Sequence, residues 1–256
     1  MGRVELHELD ALFEGHATAL APALLGCRLT VVTADGAVAV RLTEVEAYGD
    51  QGEDPGAHSF RGPTARNASL FGPPRRTYVY LNYGIHRCLN LACGPEGTAG
   101  GVLLRAGEVL GGRDLAVRRR GRETGAKLLS GPGRLGQGLG ITLTMDATSI
   151  RLLPAGEHPE PGAAAASSPR ADDDAVFLLS PPAEAADGVL SGPRVGVSGV
   201  GGGAEFPWRF RLADESSVSA YRPGRNVPAA GGGPSGVDAV DGSARRGGVV
   251  TRGSSA

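Results

Sequence analysis

Lysine is almost absent from this chain. Lys127 is the only lysine among 26 lysine and arginine residues, so chemistry through a Schiff base would need that side chain or the amino terminus. Long apolar runs are absent as well. No segment approaches the ~18 apolar residues of a membrane-spanning helix, and the first residues lack the layout of a signal peptide. We therefore expect a cytoplasmic protein with no membrane partner.

Cysteine is scarce. The three cysteines, Cys27, Cys88 and Cys93, lie in apolar or mixed segments, and their spacing matches no pair of metal ligands. Their odd number and spacing favour buried thiols in a reducing compartment over a disulfide framework or a zinc site. The cysteines therefore predict no zinc site, and we expect a protein that binds neither a metal nor a cofactor.

Glycine and proline are abundant, with 42 and 18 residues, and glycine is concentrated late in the chain. We expect one domain over residues 4–222 and a mobile Ala/Pro-rich insertion at about 154–174. The segment 223–256 has almost no large apolar residue. It cannot bury enough surface to offset its ordering entropy, so we expect a disordered tail.

The net charge of −1 conceals a basic middle. Between Arg61 and Arg134, twelve arginines and one lysine face four acidic residues, which gives this segment a charge of +9. Such a block suits a polyanionic partner, but a run of charge is equally compatible with a solvated face. Charge alone does not separate the two interpretations.

A hairpin pattern runs from Leu29 to Tyr48, with a turn at Ala34–Gly36. If its second strand stays extended, Glu44, Glu46 and Tyr48 share the face of the apolar residues before them. That face is expected to be buried, where an ionised carboxylate is costly unless it is paired or functional. The alternative is a strand end that runs out into solvent.

The flanking segments predict both helices and further strands. Residues 8–25 repeat apolar positions at helical spacing. Pro22 is expected to break or kink this run, so the pattern is as compatible with two short helices as with one. Aromatic and β-branched alternation at 77–84, 85–93 and 101–110 indicates paired strands. We expect a single α+β domain on a curved antiparallel β-sheet with surrounding helices.

Eight segments, taken in order, resemble the alkyladenine (3-methyladenine, methylpurine) DNA glycosylase family. They are Glu44–Tyr48, Asp54–Ser59, Thr64–Asn67, Leu70–Pro74, Tyr78–Gly84, Cys88–Asn90, Val102–Ala106 and Ser130–Pro132, with weaker similarity at Pro193–Val197 and Trp208–Phe210. Ala65 and Leu70 depart from the family pattern, which usually has proline and often methionine there. The departures bear on substrate preference more than on activity.

The resemblance implies a monofunctional DNA glycosylase that acts in base excision repair. Such an enzyme flips an alkylated or deaminated purine out of duplex DNA and hydrolyses its N-glycosidic bond, leaving an abasic site. Glu46 matches the family's general base, which activates a water. Arg105 matches the arginine that helps to hold that water. The implied partner is duplex DNA containing damaged purines, bound by a monomer that is nucleoid-associated when on DNA.

The resemblance also assigns the base pocket and the wedge. Tyr48, His58 and Tyr80 match the residues that sandwich the flipped base, and aromatic faces attract the positive charge of N-alkylated purines. Asn90 matches the residue that excludes guanine by its 2-amino group. Tyr83 matches the side chain that fills the gap in the minor groove.

Two other functions stay open at this point. A non-catalytic damaged-DNA-binding protein would keep the basic block and the wedge without turnover. A glycosidase for nucleosides could use Glu44 and Glu46 as an acid and base pair, although neighbouring positions on one strand face do not flank a sugar. The role of Glu44 is also left open.

Overall fold

The computed structural model describes residues 4–157, 174–184, 186 and 188–228. Most of the predicted insertion (158–173) and the predicted tail from 229 onward lie outside the described residues. The helices are α1 (Leu6–Phe13), α2 (Ala17–Ala23), α3 (Arg113–Arg120) and α4 (Pro132–Leu139). The strands are β1 (Arg28–Thr33), β2 (Gly36–Tyr48), β3 (Arg76–Asn82), β4 (His86–Ala92), β5 (Gly101–Gly111), β6 (Ile150–Leu152), β7 (Val176–Ser180), β8 (Val189–Gly192) and β9 (Arg209–Leu212).

One curled sheet carries all these strands. Seven of them follow the order β3-β4-β5-β2-β1-β7-β6, and outside this order β9 pairs with β2 and with β8. Neighbouring strands pair antiparallel except β6 and β7, which are parallel. Strand β2 is central: β5 runs along one edge, while β1 and then β9 share the other. The predicted α+β fold on a curved, mainly antiparallel sheet is confirmed.

The two amino-terminal helices cover the core. Leu9 and Phe13 of α1 and Leu20 of α2 are fully buried in the main apolar cluster. The chain breaks between the helices at His16, whose side chain accepts a hydrogen bond from the Thr18 N–H and caps α2. Two short helices are found, which is one of the two arrangements predicted, but the break does not lie at Pro22, which is inside α2 and close to the end of that helix.

Strand β2 contains an irregularity that decides where its carboxylates point. The register of its pairing with β5 shifts between Leu42 and Glu44, so Thr43 is an extra residue without a partner on β5. The register shifts again between Glu44 and Val45, where Arg105 is the extra residue on β5. A bulge of this kind reverses the alternation of side chains along a strand. Val45 and Ala47 consequently continue the apolar cluster. The expectation that Glu44, Glu46 and Tyr48 share the earlier apolar face was wrong: the bulge turns them to the other face.

The carboxy-terminal part of the described chain packs beside the 195–198 loop. The Gly199 N–H donates to the Arg225 carbonyl at 2.8 Å, and the Arg225 N–H donates to Ser198 Oγ at 3.1 Å. Residues 223–228, which the sequence places in the tail, therefore contact the domain. Among the described residues, no helix is both long and apolar enough to span a membrane.

Candidate active site

A cavity of about 490 Å³ opens where strands β2 to β5 meet the 55–59 and 195–198 loops. Six of the seven predicted site residues line it: Tyr48, His58, Tyr80, Tyr83, Asn90 and Arg105. Leu70, one of the two departures from the family pattern, also lines it. Ala65, the other departure, is exposed and outside the lining. The structure therefore brings these six residues, from five of the eight segments that resemble the family, to one concave surface.

Glu46 lies directly behind the lining of this cavity and is fully buried. Its Oε1 accepts a hydrogen bond from the Val195 N–H at 2.6 Å. Its Oε2 accepts from the Tyr48 hydroxyl at 3.0 Å and from Arg105 Nη1 at 3.1 Å. All three donors belong to residues that line the cavity. The carboxylate is therefore held in one orientation by the cavity wall itself, and hydrogen bonds of this kind are strengthened by its charge.

Arg105 connects the two glutamates of β2. Its Nε donates to Glu44 Oε1 at 2.9 Å, while Nη1 reaches Glu46. Burial lowers the pKa of Arg105, but the charges of Glu46 and Glu44 outweigh that effect and raise it above its ordinary value. The guanidinium stays charged, and its planar fork fixes the relative position of both carboxylates.

Glu44 is a structural carboxylate and does not line the cavity. Its Oε1 accepts from Arg209 Nε at 2.7 Å and from Ser219 Oγ at 2.9 Å as well as from Arg105, and its Oε2 accepts from the Ser219 N–H at 2.7 Å. Burial raises the pKa of Glu44, but Arg105 and Arg209 together outweigh it and hold the pKa below its ordinary value. The sequence left the purpose of Glu44 open, and these contacts supply it.

The ring of Tyr48 packs against Arg194, a residue that the sequence analysis did not single out. The Arg194 guanidinium carbon lies 4.5 Å from the centroid of the Tyr48 ring. Arg194 is fully buried and forms two hydrogen bonds of 2.6 Å with the Asp54 carboxylate, one from each terminal nitrogen. Burial, followed by the charge of Glu46, raises the pKa of Tyr48 well above its ordinary value, so the phenol remains a neutral donor.

Both partners of this second ion pair lie in segments that resemble the family motifs. Asp54 begins the Asp54–Ser59 segment, and Arg194 lies in Pro193–Val197. The available signal was an arginine in a short run of glycine and valine, where a buried side chain requires an acidic partner. Sequence spacing could not identify that partner, because 139 residues separate the two positions.

A second group of lining residues, His58, Tyr78 and Tyr80, is aromatic and uncharged. His58 Nδ1 lies 2.9 Å from the Tyr78 hydroxyl, and the His58 ring packs edge-on against Tyr80 with centroids 4.5 Å apart. Partial burial, reinforced by the charge of Arg66, lowers the pKa of His58, so its ring is mainly neutral at pH 7. Burial raises the pKa of Tyr78 to about 12 and also raises that of Tyr80. These groups present neutral aromatic surface to the cavity.

Asn90 is fixed on the cavity floor by the partner strand. It lies opposite Tyr78 in the β3–β4 pair, is almost fully buried, and donates from Nδ2 to the Tyr78 carbonyl at 3.1 Å. That bond defines the orientation of the amide.

No group of three or more His, Cys, Asp or Glu residues in the described ranges could hold a metal ion.

Tyr83 lies at the tip of the β3–β4 hairpin and is 86% exposed, the largest fraction among the exposed large apolar side chains of the described residues. Tyr83 and Gly84 both have positive φ (50° and 70°), and the Ile85 N–H donates to the Asn82 carbonyl at 3.1 Å. Two central residues with positive φ suit a tight hairpin turn, and glycine takes the second position without strain. The turn thereby holds an aromatic ring out at the mouth of the cavity, and the neighbouring Ile85 is also exposed (69%).

Replacing Glu44 by Gln tests the charge cluster. Because the folded-state pKa of Glu44 is lowered, its stabilising effect is complete above the unfolded value of 4.5 and is lost as pH falls through the folded pKa. We expect Glu44→Gln to lower the free energy of unfolding by about 3–5 kcal/mol at pH 7, since two buried arginines lose a partner. The difference in unfolding free energy between Glu44→Gln and the unmodified protein, measured by denaturant titration, should become smaller below pH 4.5.

The matched control is Glu108→Gln on β5. Glu108 pairs with Arg41 at 2.8 Å, and its side chain is half exposed, so its loss should cost at most about 1 kcal/mol. A Glu44→Gln deficit that stays constant from pH 7 to pH 3 would contradict the assignment of an ionised, paired Glu44.

Known proteins provide an independent comparison. A family model for methylpurine-DNA glycosylases matches residues 11–216, and each of the relatives named here is provisionally called a 3-methyladenine DNA glycosylase. The protein of Frankia casuarinae is 47% identical over 207 residues, which cover 81% of this chain and 89% of that protein. The relative from Leifsonia xyli is 44% identical over 208 residues, covering 79% of this chain and 87% of its own.

A third relative, from Streptomyces avermitilis, is 44% identical over 204 residues that cover 79% of this chain and 86% of that protein. The matched range includes all seven predicted site residues and Arg194. By the match to its model and by these relatives, the chain belongs to the methylpurine-DNA glycosylase family, whose enzymes hydrolyse N-glycosyl bonds.

Proposed function

We propose that this protein excises alkylated or deaminated purines from duplex DNA by flipping the damaged nucleotide into the cavity and hydrolysing its glycosidic bond with a water activated by Glu46. The observation that carries the proposal is the position of Glu46, fully buried behind the cavity and held by three donors that line it. The products are a free purine and an abasic site.

The proposed chemistry needs one proton acceptor and one fixed negative charge. Water attacks the anomeric carbon of the sugar, a carbon–oxygen bond forms, and the bond to the purine nitrogen breaks with its electron pair leaving on the base. The proton of the water passes to Glu46. Among the described residues, Oε1 of Glu46 accepts one hydrogen bond, from the Val195 N–H, which leaves a lone pair for the water. The same carboxylate stabilises the positive charge that develops on the sugar.

The walls of the cavity suit a flipped purine. Tyr48, His58 and Tyr80 all line the cavity and supply neutral aromatic rings, which attract a cationic N-alkylated base. A cationic base takes the electron pair of the broken bond and leaves neutral, so little acid catalysis is needed. Asn90, whose amide is fixed by the Tyr78 carbonyl, is placed to reject the 2-amino group of guanine.

The only lysine supports hydrolysis without a covalent intermediate. Lys127 Nζ donates to the Val218 carbonyl at 2.7 Å, and Lys127 does not line the cavity. An enzyme that cleaves through a Schiff base would need an amine beside the sugar. We therefore propose a monofunctional glycosylase that acts as a monomer on damaged duplex DNA and needs no cofactor.

Nucleoside hydrolysis by a pair of glutamates receives no support from the geometry. All three residues that donate to Glu46 line the cavity, whereas of the residues that donate to Glu44 only Arg105 does. Against the effect of burial, Arg105 and Arg209 also hold the pKa of Glu44 below its ordinary value, so it is not available as an acid. The other alternative, a non-catalytic damaged-DNA-binding protein, is distinguished by measuring release of the base. Such a protein would bind lesion-containing duplex and release no base.

The first functional prediction concerns Glu46. Glu46→Gln keeps the size of the side chain but removes the proton acceptor, so single-turnover release of the base should fall by about 10²-fold or more. Binding to lesion-containing duplex should persist. Glu108→Gln on β5, an exposed acid outside the cavity, is the control and should excise at the unmodified rate. Full excision by Glu46→Gln would show that another group activates the water.

The second prediction concerns the ring of Tyr83. Tyr83→Ser removes an exposed side chain, so the thermal midpoint should not change. Excision from duplex should slow by about fivefold or more, as expected from losing about 1–3 kcal/mol of stacking. Excision from the same lesion in a single strand should change little, because no gap in a duplex has to be filled.

A matched tyrosine gives the control for this experiment. Tyr221 is 43% exposed, packs near Arg209 and lies outside the cavity lining. Tyr221→Ser should leave both rates unchanged. Equal slowing of Tyr83→Ser on duplex and single strand would contradict a wedge and indicate a role in the pocket alone.

A further inference from the structure

A group of three arginines, Arg120, Arg122 and Arg134, lies beside the cavity without being part of it, and we call it the α3–α4 arginine patch. Arg120 ends α3, Arg122 follows in the next turn, and Arg134 belongs to the first turn of α4. Arg122 and Arg134 are exposed, and Arg120 is half-buried.

The patch is built on a rigid support. Arg120 Nε donates to the Leu128 carbonyl at 3.1 Å, and Arg120 Nη1 donates to Gln137 Oε1. The amide nitrogen of Gln137 donates in turn to the Arg119 carbonyl at 2.9 Å. These bonds connect the end of α3 to α4 and hold Arg120 beside the helix that carries Arg134.

The positive charge of the patch is not neutralised within the described part of the chain. No ion pair is formed there by Arg120, Arg122 or Arg134, while the nearby acids have other partners: Glu123 pairs with Arg113 at 2.8 Å and Asp35 lies 3.9 Å from Arg119. Partial burial, followed by repulsion from Arg134 and Arg122, lowers the pKa of Arg120. Like charges held together in this way are stabilised by a polyanion.

The patch continues the surface that begins at the cavity and the hairpin tip. Pro132, the first residue of α4, lines the cavity. The backbone of Gly133 lies so close to His86, at the start of β4, that a Cβ on Gly133 would be 2.6 Å from the imidazole. Only Gly84 and Ile85 separate His86 from Tyr83. A duplex opened by Tyr83 would therefore extend across the first turn of α4 toward α3.

We propose that the α3–α4 arginine patch binds phosphates of the part of the duplex that extends from Tyr83 across α4 toward α3. These contacts would hold the DNA while the base is flipped. The proposal rests on the proposed function, which supplies the duplex. Guanidinium groups suit phosphate because they offer several donors in one plane. Contacts to phosphate fix register and orientation without reading sequence. The patch would therefore align any sequence context over the cavity.

The test compares two double variants of the whole protein that remove equal charge. Arg122→Gln/Arg134→Gln removes the two exposed patch residues and leaves the bonds of Arg120 intact. Arg113→Gln/Arg151→Gln is the control: Arg113 is on the same helix but already pairs with Glu123, and Arg151 is exposed on β6 at the far end of the strand order. Equal thermal midpoints would show that both variants are folded.

The readout is the salt dependence of binding to a duplex that carries a tetrahydrofuran abasic-site analogue, which has no base to excise. The dissociation constant is measured from 50 to 200 mM KCl. Each lost phosphate contact reduces the magnitude of the slope of log affinity against log salt by about 0.9. The slope of the patch variant should therefore be smaller by about 1.8, and the slope of the control should equal that of the unmodified protein. An equal loss in both variants, or none in either, would overturn the proposal.

Excision measured in parallel separates this inference from the proposed function. If the unmodified protein excises damaged purines but the patch variant keeps its full salt slope, only the patch assignment fails. If the slope falls as expected but no protein releases base, the patch binds DNA and the glycosylase proposal fails instead.

Discussion

The structure depends on the neutralisation of two carboxylates in the interior of a sheet. Glu44 and Glu46 are both fully buried on β2, and the fork of Arg105 joins them. Arg209 contributes a second positive charge from β9, which balances the cluster. Loss of one member of a buried ion pair costs about 3–5 kcal/mol, so the positions of β5 and β9 around this part of β2 are tightly constrained.

The same constraint creates a rigid site. The bulge at Thr43 turns Glu46 and Tyr48 away from the apolar core, and the pair formed by Arg194 and Asp54 supports Tyr48 from behind. Donors and charges that are fixed before substrate arrives need no reorganisation during a reaction. Tyr83 is the opposite case, an exposed ring on a tight turn, which suits contact with a partner outside the protein.

Local patterns in the sequence were sufficient for the strands, whereas the residues of the cavity were expected from the family resemblance. The hairpin of β1 and β2 and the sheet class were predicted, and the six residues expected in the pocket, at the wedge and beside the water meet at one cavity. The bulge was not predictable, because strict alternation along β2 gives no sign of an extra residue. Val195, Arg209 and Ser219 were missed as partners because each lies at least 149 positions further along the chain than the glutamate that it contacts.

The account is tested most directly by the products of one turnover on a duplex with a single N-alkylated purine. With protein in excess, free base and abasic sites are counted together, and borohydride is added to trap any Schiff base. Hydrolysis by an activated water predicts one free base for each abasic site and no protein–DNA adduct. Tight binding without release of base, or an adduct trapped by borohydride, would contradict it.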